Sequence, residues 1–476
     1  MADRVFSDLE SLRATLDGIV RFDGDGIEVI DEAAVRNSLI DQLVWSAVFG
    51  DDDVRDASRW LIRVLAPALG AYPASIHDLY MAAGREEYAN VTTPAINVRT
   101  LTYDLARTIL RAGHTTASKQ ILFELARSET SYTDQRPSEY ASSILAAAIK
   151  ENWQGPVFIQ GDHYQANAKK YAAGPDAEIG AVADLAREAI AAGYGNIDID
   201  SSTLVDLSFP TLKEQQKQNY VNTAYLTKVI REVEPEGMTI SIGGEIGEVG
   251  KDNSTVEDLE AFMTGYLEEL ERLEGESGHK LTGISKISVQ TGTSHGGIVL
   301  PDGSIKEVSV DFETLGKLSK EAKEKYGMGG AVQHGASTLP ETAFSHFAQA
   351  DAVEVHLATA FQNAILDHER FPQELTKEVH SYLDGHYADS RKPDQNDTQF
   401  YYTTRKNALG AFKRQMWMLP DEVKTEILND LQPRFELIFR ELNVSGQGAL
   451  VDKYITRVDV PVPAPERLLA ASPKGA

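Results

Sequence analysis

The stretch KISVQTGTSHGG, from Lys286 to Gly297, joins an alternating, strand-like segment to a histidine and two glycines. It places His295 where the strand is expected to end. An imidazole nitrogen can bind a metal or move a proton, and glycine leaves backbone N–H groups open to a ligand. The stretch therefore predicts a strand whose end carries chemistry.

Three other strand-like segments end in the same way. In FIQGDHYQAN an apolar run ends with Asp162 and His163, in TISIGGEIGEVG another ends with Glu245, and in GGAVQHGAST a third ends with His334. Four separate strands are therefore expected to present metal-binding or acid–base side chains at comparable positions.

Residues 76–370 alternate between strand-like and helix-like segments. The eight strand-like segments cover residues 92–100, 119–129, 155–163, 196–203, 238–249, 284–292, 329–335 and 352–359, with helical patterns between them. Eight β/α repeats predict an α/β fold of the (β/α)8 TIM-barrel type. Alternation alone does not show closure, so a doubly wound open sheet is an alternative.

The barrel is expected to be flanked on both sides. Residues 1–75, including a predicted helix over 8–22, carry apolar positions at helical spacing and predict an N-terminal helical extension that packs on the barrel or on a neighbouring subunit. Residues 371–476 predict C-terminal helices and a Pro/Ala-rich tail. The expected organisation is thus an extension, a catalytic barrel and a C-terminal helical part.

Composition excludes several classes of function. The net charge of −26 over 476 residues argues against nucleic acid and anionic membranes as partners. The chain has no cysteine, which excludes disulfides and thiolate metal sites, so a metal would need histidine and carboxylate ligands. No signal peptide or long apolar run is evident, which predicts a cytoplasmic protein.

In a (β/α)8 barrel the carboxyl ends of all strands meet on one face. His163, Glu245, His295 and His334 would then line one pocket and suit Zn²⁺ or another divalent metal. Strand alternation predicts that Asp162 points away from the metal side of His163, either to transfer a proton or to orient His163 or cap a helix. The SHGG and HGAS loops, with Ser337, could hold a phosphate.

The motifs GDHYQAN, GGEIGEVG, QTGTSHGG and QHGAST, in this order, resemble the class II (metal-dependent) ketose-bisphosphate aldolase family over about residues 90–365. Asp162 and His163 match the last two positions of the family's His-x-Asp-His, and Gln160 stands at its first. Glu245 matches the second glutamate of Glu-x-Glu-Leu-Gly, and Gly243 stands at the first.

The resemblance implies reversible aldol cleavage of a phosphorylated ketose, fructose 1,6-bisphosphate or a related sugar phosphate, to dihydroxyacetone phosphate and an aldehyde. Zn²⁺ on His163, His295 and His334, with Glu245 as alternate ligand, would polarise the carbonyl while Asp162 takes the hydroxyl proton. It also implies a monovalent cation, a homodimer or higher homo-oligomer, and substrate or phosphate contacts at the following residues: Asn97, Ser128, Gly296, Gly335, Ser337, His356 and Thr359.

The chain departs from the family pattern at the eighth strand, where Asn-x-Asp-Thr reads His356-Leu357-Ala358-Thr359. The acid on the loop after the fifth strand is replaced by Asn253, which leaves Asp252, Glu248 or Glu257 as substitutes. Arg405 is the nearest candidate for an arginine that binds the distal phosphate. Two alternatives stay open: a metal-dependent lyase or isomerase acting on a different sugar, and a non-catalytic accessory barrel subunit.

Overall fold

A computed structural model describes residues 4–23, 26–247, 252–292, 299–302, 304 and 309–470. Eight parallel strands, here numbered in chain order, form a barrel: β1 Thr93–Asn97, β2 Leu122–Ala126, β3 Gly155–Gln165, β4 Asn196–Asp200, β5 Ser241–Glu245, β6 Lys286–Val289, β7 Ala331–Gln333 and β8 Glu354–Leu357. The last strand pairs with the first, Glu354 opposite Thr93, so the sheet is closed. The predicted TIM barrel is confirmed, and the open doubly wound sheet is excluded.

Helices follow the strands around the outside of the barrel, and most of the predicted helices are present. Their bounds are Thr102–Thr116, Arg127–Tyr132, Pro137–Lys150, Ala168–Ala173, Pro175–Ala192, Leu212–Gln215, Lys217–Val233, Val256–Ser277, Phe312–Tyr326, Phe344–Gln349 and Thr359–Leu366. The longest illustrates how the sequence sets the ends of a helix. Thr255 and Asp258 form a capping box at its start, and Gly278, with φ of 73°, ends it.

The N-terminal extension is only partly helical. Its helices are Leu9–Leu16, Glu32–Ala34, Ile40–Phe49 and Asp52–Ala68, with a π-helical stretch at Val35–Leu39, and an antiparallel hairpin joins Val20–Asp23 to Gly26–Val29. The helix predicted over residues 8–22 is therefore wrong beyond Leu16. Gly18, with φ of 71°, breaks it, and the β-branched residues and Asp-Gly pairs that follow favour a hairpin.

The chain closes the amino-terminal end of the barrel with residues just before β1. Strand Ala71–Ala74 pairs with β3 outside the closed ring, and helix His77–Gly84 follows it. From this helix the fully buried Tyr80 packs with apolar side chains of the barrel interior and donates a hydrogen bond to Glu354. The opposite, carboxyl-terminal end of the strands is left for the site described below.

C-terminal helices pack against both the barrel and the extension. Their bounds are Gln373–His386, Asp397–Thr404, Lys413–Trp417, Asp421–Glu441, Gly448–Tyr454 and Glu466–Ala470, with short 3-10 turns at Ala388–Ser390 and Arg405–Ala408. Trp417 stacks edge-on against Trp45 of the extension, with ring centroids 5.5 Å apart. Within the described ranges, no helix has both the length and the apolar character needed to cross a bilayer.

Burial of the extension predicts a large effect of truncating its core side chains. Leu61 is fully buried in helix Asp52–Ala68, whereas Leu267 is 45% exposed in helix Val256–Ser277. We expect Leu61→Ala to lower the free energy of unfolding by about 2–5 kcal/mol. The matched Leu267→Ala change should cost well under 1 kcal/mol. Thermal unfolding followed by circular dichroism checks this, and equal shifts in the two variants would contradict it.

Candidate active site

A cavity of about 790 Å³ opens at the carboxyl ends of the barrel strands. Most of the predicted site residues line it, together with several basic side chains. The predicted residues on its wall are Asn97, Ser128, Asp162, His163, His334, Gly335, Ser337, His356 and Thr359. The barrel thus brings together side chains that are far apart in the sequence.

A bulge in β3 turns two consecutive residues toward the cavity. The pairing of β3 with β4 shifts by one residue between Gly161 and Tyr164, and His163 has a left-handed φ of 40°. Neighbours in a regular strand point to opposite faces, whereas a bulge removes this alternation locally. Asp162 and His163 therefore line the same cavity, and the expectation that Asp162 points away is wrong.

Histidine and carboxylate side chains gather at this point. The ring centroids of His163 and His334 lie 4.2 Å apart, and ligand atoms of Asp162, His163 and His334 all lie within 4.8 Å of one another. On its other side, Nδ1 of His163 is 3.2 Å from carboxylate oxygens of Asp200 and Glu245. His295, Gly296 and Glu248 lie outside the described residues.

These groups fit a divalent cation. Oδ1 of Asp162 is buried and makes no hydrogen bond to the described residues, and its near neighbours are the imidazole nitrogens of His356 at 3.2 Å and His163 at 3.7 Å. Imidazole nitrogen and carboxylate oxygen are the ligands that Zn²⁺ takes in cysteine-free sites. Asp162, His163 and His334 therefore form a group that could hold a metal ion.

A hydrogen bond to its other oxygen, Oδ2, holds the Asp162 side chain in one orientation. Nδ2 of Asn97 donates to Oδ2 of Asp162 at 2.9 Å and to Glu129 at 2.9 Å. Burial disfavours the ionised carboxyl, but the neighbouring His163 and His356 outweigh it and hold the pKa of Asp162 well below its usual range. The carboxylate is therefore ionised and held in one orientation.

A layer of buried polar side chains lies beneath the cavity, and of its members only His356 was predicted from the sequence as a site residue. Nζ of Lys286 donates to Gln160 at 2.8 Å, Asp198 at 3.0 Å and Glu354 at 2.5 Å. His356, at the cavity floor, places Nε2 2.5 Å from Oε1 of Glu354. We call Glu124, Gln160, Asp198, Lys286, Glu354 and His356 the buried polar layer.

Ionisation in this layer follows from the neighbouring charges. Burial disfavours the imidazolium of His356, but Glu124, Asp162 and Glu354 outweigh it and hold its pKa well above the usual value. Burial likewise disfavours the ammonium of Lys286, yet Asp198 and Glu354 raise its pKa. Both cations therefore stay charged among the buried carboxylates.

One wall of the cavity offers hydroxyl and backbone groups suited to phosphate. Gly335 has φ of 72°, and Ser337 follows in a short 3-10 turn. The backbone N–H of Ala360 donates to Oγ of Ser337 at 3.3 Å, which sets Ser337 and Thr359 at the N-terminus of helix Thr359–Leu366. Helix N-termini attract anions through their exposed N–H groups.

Four basic side chains line the outer part of the cavity: Arg99, Arg127, Lys170 and Lys406. Arg99 pairs with Glu129, and Arg127 pairs with Glu178. Burial and the nearby Arg99 hold the pKa of Lys406 below its usual value, and Glu129 offsets them only in part. In a chain of charge −26, this rim is a local concentration of positive charge.

The remaining predicted residues have other surroundings. Glu245 contacts His163 but does not line the cavity. Arg405 forms an ion pair with Asp367 and faces an adjoining cavity instead. Asn253 donates to Asp311 at 3.2 Å.

One protein-family model matches most of the chain. The family model described as fructose-bisphosphate aldolase class-II matches residues 74–416. A search of curated proteins found no match.

Two solved structures are similar to this chain at low sequence identity. A probable tagatose 6 phosphate kinase from Sinorhizobium meliloti 1021 has a TM-score of 0.52 at 15% identity, covering 76% of this chain and 99% of that chain. A fructose-bisphosphate aldolase from Campylobacter jejuni has a TM-score of 0.45 at 17% identity, covering 79% of this chain and 96% of that chain. The first of these likenesses supports the barrel fold.

Proposed function

The chain belongs to the class II fructose-bisphosphate aldolase family, and from this premise we propose that it cleaves a phosphorylated ketose by a metal-dependent, reversible aldol reaction. Family membership supports carbon–carbon lyase activity of the aldolase type. The observation that carries the proposal is the convergence of Asp162, His163 and His334 at the barrel mouth, with ligand atoms within 4.8 Å of one another.

His163 and His334 would hold the divalent ion, together with His295 and with Glu245 as the alternate ligand. The donor set of imidazoles and carboxylate suits Zn²⁺, which we propose as the metal. When bound, the ion supplies Lewis acidity to the ketose carbonyl and stabilises negative charge that develops on its oxygen.

Asp162 carries out the proton transfer in this proposal. In the cleavage direction its carboxylate accepts the proton of the hydroxyl beside the scissile bond. The oxygen then forms a carbonyl as the carbon–carbon bond breaks and its electron pair moves toward the ketose carbonyl. In condensation Asp162 returns the proton. Asn97 keeps the carboxylate in place through its bond to Oδ2.

The cavity contains groups that can attract phosphate, which supports a phosphorylated substrate. Ser337 and Thr359 lie at a helix N-terminus on one wall of the cavity, and Arg99 and Lys406 lie on its rim. Two regions of the cavity can therefore attract anionic groups despite the negative net charge of the chain. We further propose a homo-oligomeric, cytoplasmic enzyme, as the family resemblance implies.

Removal of the rim charge should weaken substrate binding. We expect Lys406→Met to raise KM for a phosphorylated ketose about 10- to 100-fold, because a charged hydrogen bond to phosphate contributes about 1.5–3 kcal/mol. The matched change Lys377→Met, at a lysine whose side chain is 68% exposed and away from the cavity, should leave KM unchanged. Steady-state kinetics check both variants, and an equal KM in Lys406→Met and wild type would remove Lys406 from the binding site.

The proposed reaction is tested by measuring triose-phosphate release from a panel of ketose mono- and bisphosphates, with and without chelator. Chelator-sensitive release from one of them supports the aldolase. Isomerisation of a sugar without cleavage would favour the alternative enzyme, a metal-dependent isomerase acting on a different sugar. His356 and Ala358 suggest this alternative because they replace the amide and carboxylate of the family pattern. No turnover of the whole panel by metal-loaded protein would favour an accessory barrel.

A further inference from the structure

The buried polar layer replaces an apolar filling at the level just below the site. Barrel interiors are usually filled by branched apolar side chains. Here Glu124, Gln160, Lys286 and Glu354 are completely buried, and Asp198 is 5% exposed. A buried ion pair seldom stabilises a protein more than apolar residues of the same volume would. The layer therefore calls for a role other than stability.

We propose that Lys286 and Glu354 act through His356 to position the carboxylate of Asp162, an inference that rests on the proposed aldol reaction. The three are positioning residues, and Asp162 alone meets the substrate proton.

A continuous chain of contacts connects these residues. Nζ of Lys286 lies 2.5 Å from Oε1 of Glu354, and the same oxygen lies 2.5 Å from Nε2 of His356. Across the ring, Nδ1 of His356 lies 3.1 Å from Oε1 of Glu124 and 3.2 Å from Oδ1 of Asp162, so this nitrogen lies between two carboxylates. Glu354 thus fixes one nitrogen of the ring, and the other nitrogen faces the carboxylate oxygen that Asn97 does not hold.

Glu354 itself is restrained from several directions. Gln160 donates to Oε1 of Glu354 at 2.9 Å, and Tyr80 donates to its other oxygen. A residue whose rotamer is set by several hydrogen bonds can transmit that order to the next residue. The orientation of the His356 ring therefore depends on contacts deep in the barrel as well as on the cavity wall.

Three of the departures from the family motifs lie in this layer or against it. Gln160 stands for a histidine and His356 for an asparagine, and Gly243 stands for a glutamate. A Cβ at Gly243 would lie 2.4 Å from Oδ1 of Asp198 and 3.0 Å from Cε of Lys286. The space for the Lys286–Asp198 pair therefore depends on the glycine, and these replacements belong to one arrangement.

The experiment compares Glu354→Gln, Lys286→Met and the double variant that carries both changes. We expect Glu354→Gln to lower kcat about 10- to 100-fold, as is typical when a residue that orients a catalytic group is changed. KM should change less than about threefold, because the substrate contacts remain. The double variant should regain part of the unfolding midpoint lost in Lys286→Met, since an unpaired buried charge is removed, but kcat should stay low.

Lys323→Met is the matched control, since Lys323 is 7% exposed and pairs with Asp351 outside the barrel interior. It should lower the unfolding midpoint without lowering kcat. A wild-type kcat in folded Glu354→Gln would overturn the proposal. So would a kcat that follows the unfolding midpoint across all four variants, because the layer would then be structural only.

A crystal structure of Glu354→Gln, or of the double variant if the single one does not fold, separates this inference from the proposed function. We expect Asp162 Oδ1 to lose its contact with Nδ1 of His356, which is 3.2 Å in the wild type. An unchanged contact would overturn the positioning role whatever the enzyme's activity. An inactive wild-type protein on the sugar panel would instead overturn the aldolase proposal.

Discussion

Asp162→Asn should lower kcat for ketose cleavage by about 10²- to 10⁴-fold, the usual contribution of a positioned acid–base group. The amide has nearly the same shape as the carboxylate and can still accept the hydrogen bond from Asn97, but it cannot take the hydroxyl proton. KM should change little, because the phosphate contacts lie elsewhere on the cavity wall. Steady-state kinetics on the substrate identified in the sugar panel measure both constants.

The control variant Asp258→Asn shows whether the loss of kcat depends on the position of the aspartate in the active site. Asp258→Asn changes a buried aspartate that caps helix Val256–Ser277, so it should affect stability and leave kcat near the wild-type value. If Asp162→Asn binds metal normally and still retains a kcat within about threefold of wild type, Asp162 is not the base, since such a change lies far below the effect of losing one.

His163→Ala should remove the metal and reduce cleavage at least about 10³-fold, because even a single lost donor to a developing oxyanion costs about 10²- to 10³-fold. Among the described residues His163 belongs to two of the four groups of potential metal ligands, one with Asp162 and His334 and one with Asp200 and Glu245. No single remaining ligand can substitute for it. Metal analysis of purified protein, together with cleavage assays, measures both effects.

His77→Ala provides the matched control for this prediction. His77 is a buried histidine, 7% exposed, at the start of helix His77–Gly84, and it is not among the potential metal ligands of the described residues. The variant should keep its metal and its activity. Full metal occupancy in His163→Ala would show that the ion is held elsewhere.

The barrel itself could be predicted because its local signals agree. Each strand carries apolar residues that can be buried on both faces, and each is followed by a helix with a recognisable start or end. The hairpin at Val20–Val29 was missed because apolar spacing in a short segment fits either a helix or a strand. There the turn residues, beginning with Gly18, were the better signal.

The histidines at the mouth could be predicted because they lie at strand ends: His163 is near the end of β3, and His334 directly follows β7. The β3 bulge could not, since one extra residue in a strand leaves no periodic trace. In the structure, the register shift, the φ of 40° at His163 and the tight packing of Gly161, where a Cβ would lie 2.5 Å from the Tyr164 ring, all mark the bulge. The bulge is what places Asp162 beside His163, so the geometry of the base depends on a feature that sequence patterns do not show.

The buried polar layer left a signal that could have been used. Asp198 and Asp200 alternate with apolar residues in NIDID, and Glu354 precedes His356 by two positions in EVH. Charged residues at every second position of a strand lie on one face, and in a closed barrel one face is the interior. Their pairing with Lys286 required the register of all strands, which only the folded barrel provides.

The central claim is that residues spread across four strands hold one divalent cation. An anomalous-difference map from crystals of the metal-loaded protein tests it most directly. We predict one peak at the barrel mouth, about 2.0–2.1 Å from a nitrogen of both His163 and His334. A map without a peak there, or with a peak that contacts only one of the two histidines, would contradict the account.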